Sequence, residues 1–357
     1  MIELQQRITI LKSLGHRLKQ LSGQIVQQKS ENDAELSRWL SQVSAVNPWF
    51  TVDSIAMALE VWATALEPQA VDQWVELYPA LQNQRTPKTV GVINAGNIPF
   101  VGLHDLLSVF LSGHRYVGKN ASEDPFLLPM VVKEMEAIDP SVREVIQFVD
   151  KLTGVDAVIA TGSNNSARYF EAYFGKYPHI IRKNRNAVAL LTGFESSEDL
   201  SALGNDIFSY YGLGCRNVSK LYVPKEYDFN LFFESIYSYH TVMNHHKYMN
   251  NFDYHNAVYM LKQLPFLQNN FLIVREEEQL ASPLAVLHYE QYENWDKLMD
   301  TIASKELEIQ CIATSKNTKI DHEKIQSPVV EFGTTQSPTL LDYADGVDTM
   351  KFLLEVG

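Results

Sequence analysis

The chain has 357 residues, a formal net charge of −13 and a hydrophobic fraction of 45%. This length predicts roughly two domains, each large enough to bury a core of its own. The acidic charge argues against general binding to nucleic acids or anionic membranes, because both need clustered Lys and Arg.

Targeting signals and cysteines indicate the compartment. No apolar run reaches the roughly 18 residues that a membrane-spanning helix needs, and no signal-peptide pattern opens the chain. The cysteines, Cys215 and Cys311, offer neither a disulfide framework nor zinc-ligand spacing. Histidines between positions 240 and 255 lack partner carboxylates, so we interpret them as a polar face or a subunit contact. We therefore predict no metal site and a reducing, cytoplasmic location.

The N-terminal segment has helical periodicity. Apolar residues recur every three or four positions over 2–29, and helical stretches also cover 35–45 and 51–65. From residue 86 the texture changes to alternating strands and helices. Strands are predicted at 89–94, 115–119, 145–149 and 157–160, with helices at 99–112 and 125–138 between the first three. Apolar strands alternating with helices predict a parallel sheet covered on both faces, which binds ligands beyond the carboxyl ends of its strands.

A second α/β block follows near position 190. Strands are predicted at 188–191, 219–224, 271–275 and 284–289, with an aromatic-rich helix near 229–242. We therefore predict N-terminal helices with a dinucleotide-binding domain over 1–190 and a catalytic domain over 191–330. The C-terminal tail, 331–357, is free to return across the cleft between them.

Cys215 lies in a glycine-rich turn between a predicted helix and a predicted strand. Gly212 and Gly214 leave the backbone open to an approaching substrate, and Arg216 and Lys220 would favour the thiolate that attacks carbonyl carbon. The alternative is a small buried hydrophobe, as most free cysteines are. Cys311 lies in an apolar strand pattern and is predicted to be such an inert thiol.

Three further turns follow predicted strands of the first block. Asn97 could donate to an oxyanion, or its turn could need Asn and Gly only for left-handed backbone angles. Lys119 ends a strand, where it could bind a ribose hydroxyl or phosphate, or simply be solvated. Gly162 and Ser163 open a helix, whose N-terminus could hold a phosphate in addition to an ordinary N-cap.

Taken in order, these segments resemble the aldehyde dehydrogenase superfamily. The matches are Asn97-Ile98-Pro99 to its Asn-Phe-Pro motif, Lys119 with Pro125 to its Lys-Pro-Ser-Glu-x-x-Pro stretch, Thr161-Gly162-Ser163 to its Phe-Thr-Gly-Ser segment, and Gly212-Leu213-Gly214-Cys215 to its nucleophile turn. The Cys215 turn and the tail around 342–349 are similar to the acyl-CoA reductase branch, the relatives of the fatty acyl reductases of bacterial bioluminescence. The resemblance implies an aldehyde-dehydrogenase-like fold with a Rossmann-type cofactor domain and a second α/β domain.

The resemblance also implies roles for residues. Cys215 would be the nucleophile and Asn97 the oxyanion donor. Lys119, Gly162 and Ser163 would hold the cofactor, and the glutamate that binds the cofactor ribose falls near Glu278. Ser122 replaces a glutamate of NAD-preferring relatives, which favours NADPH, with NADH as the alternative.

One departure from the superfamily bears on the reaction. Aldehyde-oxidising members have a glutamate that activates water, whereas the matching stretch here, 180–186, contains no carboxylate. A thioacyl enzyme would then resist hydrolysis. The predicted function is therefore NAD(P)H-dependent reduction of an acyl thioester to the aldehyde. The acyl group would be carried on CoA or on an acyl carrier. An acyl carrier without redox activity and a non-catalytic scaffold stay as alternatives, and a homo-oligomer is compatible with the sequence.

Overall fold

The computed structural model describes residues 2–28 and 34–356, which form two compact units. The first unit contains the residues up to Asn184 together with those from Pro338 onwards, and the second contains Arg185–Ser337. The chain thus leaves the first unit once and returns to it. These transitions differ by a few residues from the domain limits predicted at 190 and 330.

The first part of unit one is helical. It contains α1 (Leu4–Gln28), α2 (Ala34–Val46), α3 (Val52–Ala65) and α4 (Pro68–Glu76). The apolar stripe of α1 is buried at Leu11, Leu14 and Leu18, as the periodicity predicts. α1 packs against α3, and a Cβ at Gly15 would lie 2.7 Å from the carbonyl oxygen of Leu66, which explains a glycine within this helix.

A parallel sheet forms the rest of unit one. Its elements are β1 (Thr89–Ile93), α5 (Leu103–Ser112), β2 (Arg115–Lys119), α6 (Leu127–Ile138), β3 (Ile146–Phe148), β4 (Ala157–Thr161), α7 (Asn164–Phe174) and β5 (His179–Arg182). Within the described residues the strand order is β3-β2-β1-β4-β5, with every pair parallel. The four predicted strands and both predicted helices are confirmed. β5 was not predicted, because its four residues include a histidine and an arginine and so do not form an apolar run. The arginine is nevertheless buried.

Unit two is built on a second sheet. Its elements are β6 (Asn186–Leu190), α8 (Ser197–Phe208), β7 (Val218–Pro224), α9 (Asn230–Ser235), α10 (His246–Leu261), β8 (Leu267–Gln268), β9 (Ile273–Glu276), β10 (Val286–Tyr292), α11 (Trp295–Ser304), β11 (Ile309–Thr314) and β12 (Val329–Glu331). Within the described residues the order is β12-β11-β6-β7-β10-β9-β8, and β8 pairs antiparallel with β9. The remaining pairs are parallel.

The helix predicted over 229–242 is wrong in length. α9 ends at Ser235 and gives way to 3-10 turns over Ile236–Asn244. The sequence after Ser235 is rich in aromatic and β-branched residues, which lose side-chain freedom in an α-helix and so favour it weakly. Ile236 and Val242 of this segment are buried, so the segment still packs into unit two in its tighter form.

The returning chain ends in α12 (Thr349–Val356), which packs against α5. Hydrogen bonds attach this segment to unit one before the helix starts. The Trp74 indole N–H donates to the Tyr343 hydroxyl at 2.7 Å, and a ring nitrogen of His104 lies 3.0 Å from the Leu340 carbonyl oxygen. His104 also makes an edge contact with the Tyr343 ring.

A buried ion pair connects three elements of unit one, namely β5, α5 and α12. The Arg182 guanidinium, at the end of β5, donates to both carboxylate oxygens of Asp105 in α5 at 2.5 and 2.8 Å. It also donates to the Thr349 hydroxyl of α12 at 2.9 Å. Arg182 is 5% exposed and Asp105 is 4% exposed, so neither charge has water as an alternative partner.

We therefore expect Asp105→Ala to lower the free energy of unfolding by about 3–5 kcal/mol, because it leaves a buried guanidinium without its carboxylate. Glu293→Ala is the matched control, since it removes the partner of Lys225 from an exposed pair and should change stability little. Urea denaturation of the two variants measures the difference. Equal losses would contradict a special role for the buried pair.

Candidate active site

The order of the first sheet locates a ligand edge in unit one. From β1 the chain moves to β2 on one side, and β4 lies on the other side of β1. Ligands of open α/β sheets bind beyond the carboxyl ends of the strands at such a switch point. Ile93 is level with Lys119 and with Ala160, so the turns after β1, β2 and β4 lie along one edge. Lys119 ends β2 at this edge, and the turns contain Asn97, Ser122, Gly162 and Ser163.

The turn after β1 is fixed by Asn94, a residue that the sequence analysis did not single out. Asn94 is buried, and its amide donates to the Tyr116 hydroxyl at 2.9 Å and to the Asn120 side-chain oxygen at 3.0 Å. A Cβ at Gly96 would lie 2.9 Å from the Cβ of Ala121. The turn therefore packs tightly on the loop after β2 and leaves Asn97 exposed.

The loop after β2 presents a lysine and a carboxylate. Lys119 is exposed at the end of the strand, and the Ser122 hydroxyl donates to the Glu123 carboxylate at 2.9 Å. Asp124 is buried and accepts from the backbone N–H of Leu127 at 3.0 Å at the start of α6. Burial raises the pKa of Asp124 to about 6, against the opposing effect of its backbone hydrogen bonds.

The turn after β4 has the form of an anion-binding helix start. Ser163 is the N-cap of α7, and its hydroxyl accepts from the backbone N–H of Ser166 at 3.2 Å. A Cβ at Gly162 would lie 2.9 Å from the Cβ of Ser166, so only glycine fits this close approach. The other N–H groups of the first turn point outwards from the helix start. A diphosphate fits this arrangement, since such N–H groups and the helix dipole favour negative charge.

Cys215 lies on a β-turn immediately before β7 in unit two. The backbone N–H of Asn217 donates to the Gly214 carbonyl at 3.0 Å, which makes Cys215 and Arg216 the two central residues of the turn. Cys215 is an exposed thiol, whereas Cys311 is fully buried in β11. A thiol at the tip of a turn is accessible to a substrate, and one within a buried strand is not.

Asn217 anchors this turn, and the sequence analysis gave it no role. Its side-chain oxygen accepts from the Gly214 N–H at 2.8 Å, while its amide donates to the carbonyls of Ser209 at 2.8 Å and Asp206 at 3.1 Å. Asn217 is 3% exposed. One buried side chain thus joins both sides of the cysteine turn to the C-terminal end of α8 and satisfies its last carbonyl groups.

The chain between α8 and the cysteine turn has an uncommon conformation. Tyr210, Tyr211 and Gly212 have φ values of 51°, 59° and 80°. Two successive non-glycine residues in the left-handed region are strained, which requires compensation from their surroundings. The buried Tyr210 side chain supplies contacts within this run, and the Asn217 bond to Ser209 fixes the residue just before it.

Lys220, which was predicted to favour the Cys215 thiolate, has its own partners in the interior of unit two. Its ammonium group is buried in the sheet, where it donates to the Glu277 carbonyl and pairs with Glu290 at 3.1 Å. Burial lowers the pKa of Lys220, and the hydrogen bond to Glu290 opposes that change. The lysine therefore belongs to the interior of unit two.

Glu278 lies in unit two, beyond the carboxyl end of β9, whereas Cys215 lies before the amino end of β7. Glu278 is exposed, and its carbonyl accepts from Lys305 at 3.4 Å. Its assignment to the cofactor ribose stays a prediction.

The stretch 180–186, at the end of β5, contains no carboxylate that could act as a general base. Arg182 is engaged with Asp105 as described above, and Lys183 pairs with Glu171 of α7 at 3.2 Å. Asn184 donates from its backbone N–H to the Asn164 side chain at 3.2 Å. The stretch thus supports the start of α7 and itself supplies no carboxylate.

Over 2–28 and 34–356, no helix is long and apolar enough to cross a membrane. The same residues contain no group of three or more His, Cys, Asp or Glu side chains placed to hold a metal ion.

The same fold occurs in solved structures of other proteins. A putative aldehyde dehydrogenase PutA from Anabaena variabilis is 13% identical, with 98% of this chain and 90% of that chain covered and a TM-score of 0.62. An NADP-dependent enzyme of E. coli is 13% identical, with 93% and 78% covered and a TM-score of 0.63. An NAD-dependent benzaldehyde dehydrogenase from Corynebacterium glutamicum is 13% identical, with 92% and 81% covered and a TM-score of 0.62.

No family model and no curated protein matches the sequence. The similarity to solved structures therefore shows the fold. It is aldehyde-dehydrogenase-like, with a parallel sheet in unit one and a second, larger sheet in unit two. The predicted fold class is confirmed.

We expect Asn217→Ala to destabilise unit two by about 1–3 kcal/mol, because two buried carbonyls and one N–H lose their partner. Asn217→Asp should be worse, since a carboxylate would face carbonyl oxygens. Asn251→Ala is the control, because the half-buried Asn251 donates from its side chain to the Lys247 carbonyl within its own helix. Thermal unfolding orders the variants, and alkylation of Cys215 by iodoacetamide reports on the turn. A wild-type alkylation rate in folded Asn217→Ala would show that the turn does not depend on this anchor.

Proposed function

We propose that the protein is an NAD(P)H-dependent acyl-CoA reductase, which converts an acyl thioester of the fatty acyl class into the aldehyde. The observation on which the proposal mainly rests is the exposed Cys215 thiol, held on an anchored turn directly before a buried strand. A mobile surface cysteine would need no such anchoring. An aldehyde-dehydrogenase-like fold around a cysteine of this kind supports thioester chemistry.

The absence of a carboxylate in 180–186 favours reduction over hydrolysis. Arg182 takes part in a buried ion pair and Lys183 in a surface pair, so neither side chain is a general base for water. A thioacyl group on Cys215 would then wait for hydride instead of being hydrolysed to the acid.

A nicotinamide cofactor fits the ligand edge of unit one. We assign its diphosphate to the N-terminus of α7, beside Gly162 and Ser163, and its adenine ribose to Lys119 and Ser122. The lysine supplies positive charge, and the helix start supplies N–H donors. The cofactor, when bound, supplies the hydride that reduces the thioacyl carbon.

The protein side of the reaction has two steps. The Cys215 thiolate attacks the thioester carbonyl, and the bond to CoA breaks with CoA leaving as the thiolate. After hydride arrives at the same carbon, the bond to the Cys215 sulfur breaks and the aldehyde leaves, which regenerates the thiolate. We assign oxyanion stabilisation to Asn97 and to the backbone N–H of Cys215 from the sequence, since charge develops on the carbonyl oxygen in both steps.

Incubation with an acyl-CoA and no reductant should add one acyl group to the protein by intact mass. We expect the adduct in Cys311→Ala and not in Cys215→Ala, because Cys311 is fully buried. Addition of NADPH should release the aldehyde at least about tenfold faster than hydrolysis releases the acid, a barrier difference of about 1.4 kcal/mol. If NADPH does not change the rate of acyl release, the protein is an acyl carrier instead. An acyl adduct on Cys215→Ala would show that Cys215 is not the nucleophile.

Cofactor preference tests the loop after β2. We propose NADPH over NADH, but the Ser122 hydroxyl donates to Glu123, so a 2′-phosphate has to compete with that carboxylate. Glu123→Gln should therefore shift the ratio of kcat/KM values towards NADPH by about tenfold, and Ser122→Glu should shift it towards NADH. The control is Glu76→Gln, an exposed carboxylate at the end of α4. If neither loop variant changes the ratio, the loop does not face the 2′ position.

A further inference from the structure

A polar cavity lies at the opposite edge of the first sheet from the proposed cofactor site. Its volume is about 550 Å³, and it is lined by the start of α1, by residues 81–86 before β1 and by the end of α5. An adjoining cavity of about 190 Å³ shares Ile2, Arg7 and Gly113 with it. β1 separates this edge from the turn of Asn97 by five residues, which is about 16 Å of strand.

Arg7 lies between the two cavities and has one unsatisfied nitrogen. Its Nη1 donates to the carbonyls of Phe110 and Leu111, where it caps the C-terminal end of α5. Its Nε is buried and lacks a hydrogen-bond partner within the described residues. A Cβ at Gly113 would lie 2.5 Å from Nη1, so the glycine is needed to admit the guanidinium. Capping of α5 therefore accounts for the Nη1 atom of Arg7 but not for its Nε atom.

Arg85, which also lines the larger cavity, has a similar arrangement. Its Nη2 donates to the Ala80 carbonyl, and its Nη1 is buried without a hydrogen-bond partner in the part of the chain that is described. Neither Arg7 nor Arg85 forms an ion pair with a described carboxylate. A buried donor that is left unsatisfied costs about 1–3 kcal/mol, and more on a charged group.

The electrostatic environment of the cavity is positive although the chain as a whole is acidic. Burial lowers the pKa of Arg7 to about 10; Glu3 opposes that change, and repulsion from Arg85 adds to it. Burial also lowers the pKa of His114 in the adjoining cavity, with further repulsion from Arg85, Arg7 and Lys88. The carboxylates at the two cavities are Glu3 and Glu144, and neither pairs with either arginine.

His114 itself is held neutral by two backbone contacts. Its Nδ1 accepts from the Lys88 N–H at 3.1 Å, and its Nε2 lies 2.8 Å from the Leu353 carbonyl oxygen, to which it donates. The imidazole therefore adds no charge, and the described cations that line the larger cavity are the guanidinium groups of Arg7 and Arg85. Guanidinium groups match phosphate oxygens in both charge and geometry.

We propose that this cavity is a second anion site, which binds a phosphate-bearing small molecule between Arg7 and Arg85. Its volume lies within the range of small-molecule pockets, about 300–1,000 Å³. The site does not depend on the proposed reductase activity, because it uses neither the ligand edge of unit one nor Cys215.

The test is titration of the full-length protein with inorganic pyrophosphate by calorimetry, at constant ionic strength. Binding should weaken at least about tenfold in Arg85→Ala, since one of two guanidinium partners is lost. Arg7→Lys should weaken it as well, because lysine keeps the charge and can still cap α5 but lacks the planar fork. Arg143→Ala is the matched control, since Arg143 also donates to one backbone carbonyl, that of Pro140, and lines neither cavity.

Protection from phenylglyoxal locates the binding directly. Pyrophosphate should slow modification of Arg85, measured by peptide mass spectrometry, and should leave Arg143 unchanged. Equal pyrophosphate binding by the wild type and Arg85→Ala would overturn the site. Pyrophosphate that binds only at the start of α7 would give this result, because Arg85→Ala does not change that helix. Succinate binding as tightly as pyrophosphate would overturn the assignment to phosphate.

Discussion

Parallel alignment of the strands is the constraint on which the first unit depends. When neighbouring strands run in the same direction, every turn into a helix emerges at the same edge. Three polar turns that are distant in sequence are therefore brought level, as the pairing of Ile93 with Lys119 and Ala160 shows. The same alignment gathers the segments that precede the strands at the opposite edge, where Arg7 and Arg85 lie.

Much of this arrangement could be predicted from the sequence, because buried parallel strands are nearly continuous apolar runs. The strands β1, β2 and β4 were predicted within a residue or so, and the turns that follow them were predicted with them. β5 escaped prediction because it is short and ends in the charged Arg182, whose buried charge pairs with Asp105, 77 residues away in the chain. Likewise the 3-10 segment after Ser235 is decided by tertiary contacts rather than by periodicity.

The cysteine turn illustrates what sequence patterns leave out. Glycines around Cys215 predict a turn, and the turn is present. What holds it is Asn217, whose partners at Asp206 and Ser209 belong to the end of the preceding helix. A sequence signal existed, since asparagine is common in turns, where its side chain forms hydrogen bonds to nearby backbone groups. The neighbouring Lys220 looked equally informative, yet its side chain turns into the sheet and pairs with Glu290.

The return of the chain to unit one has a consequence for the order of folding during synthesis. Residues 185–337 emerge from the ribosome before the last segment does, so unit two can fold while unit one still lacks α12. Until then the Arg182–Asp105 pair lacks Thr349, and the His104 and Trp74 side chains lack their partners near the C-terminus. The nascent first unit is therefore exposed to chaperones and proteases for the time needed to translate an entire inserted unit.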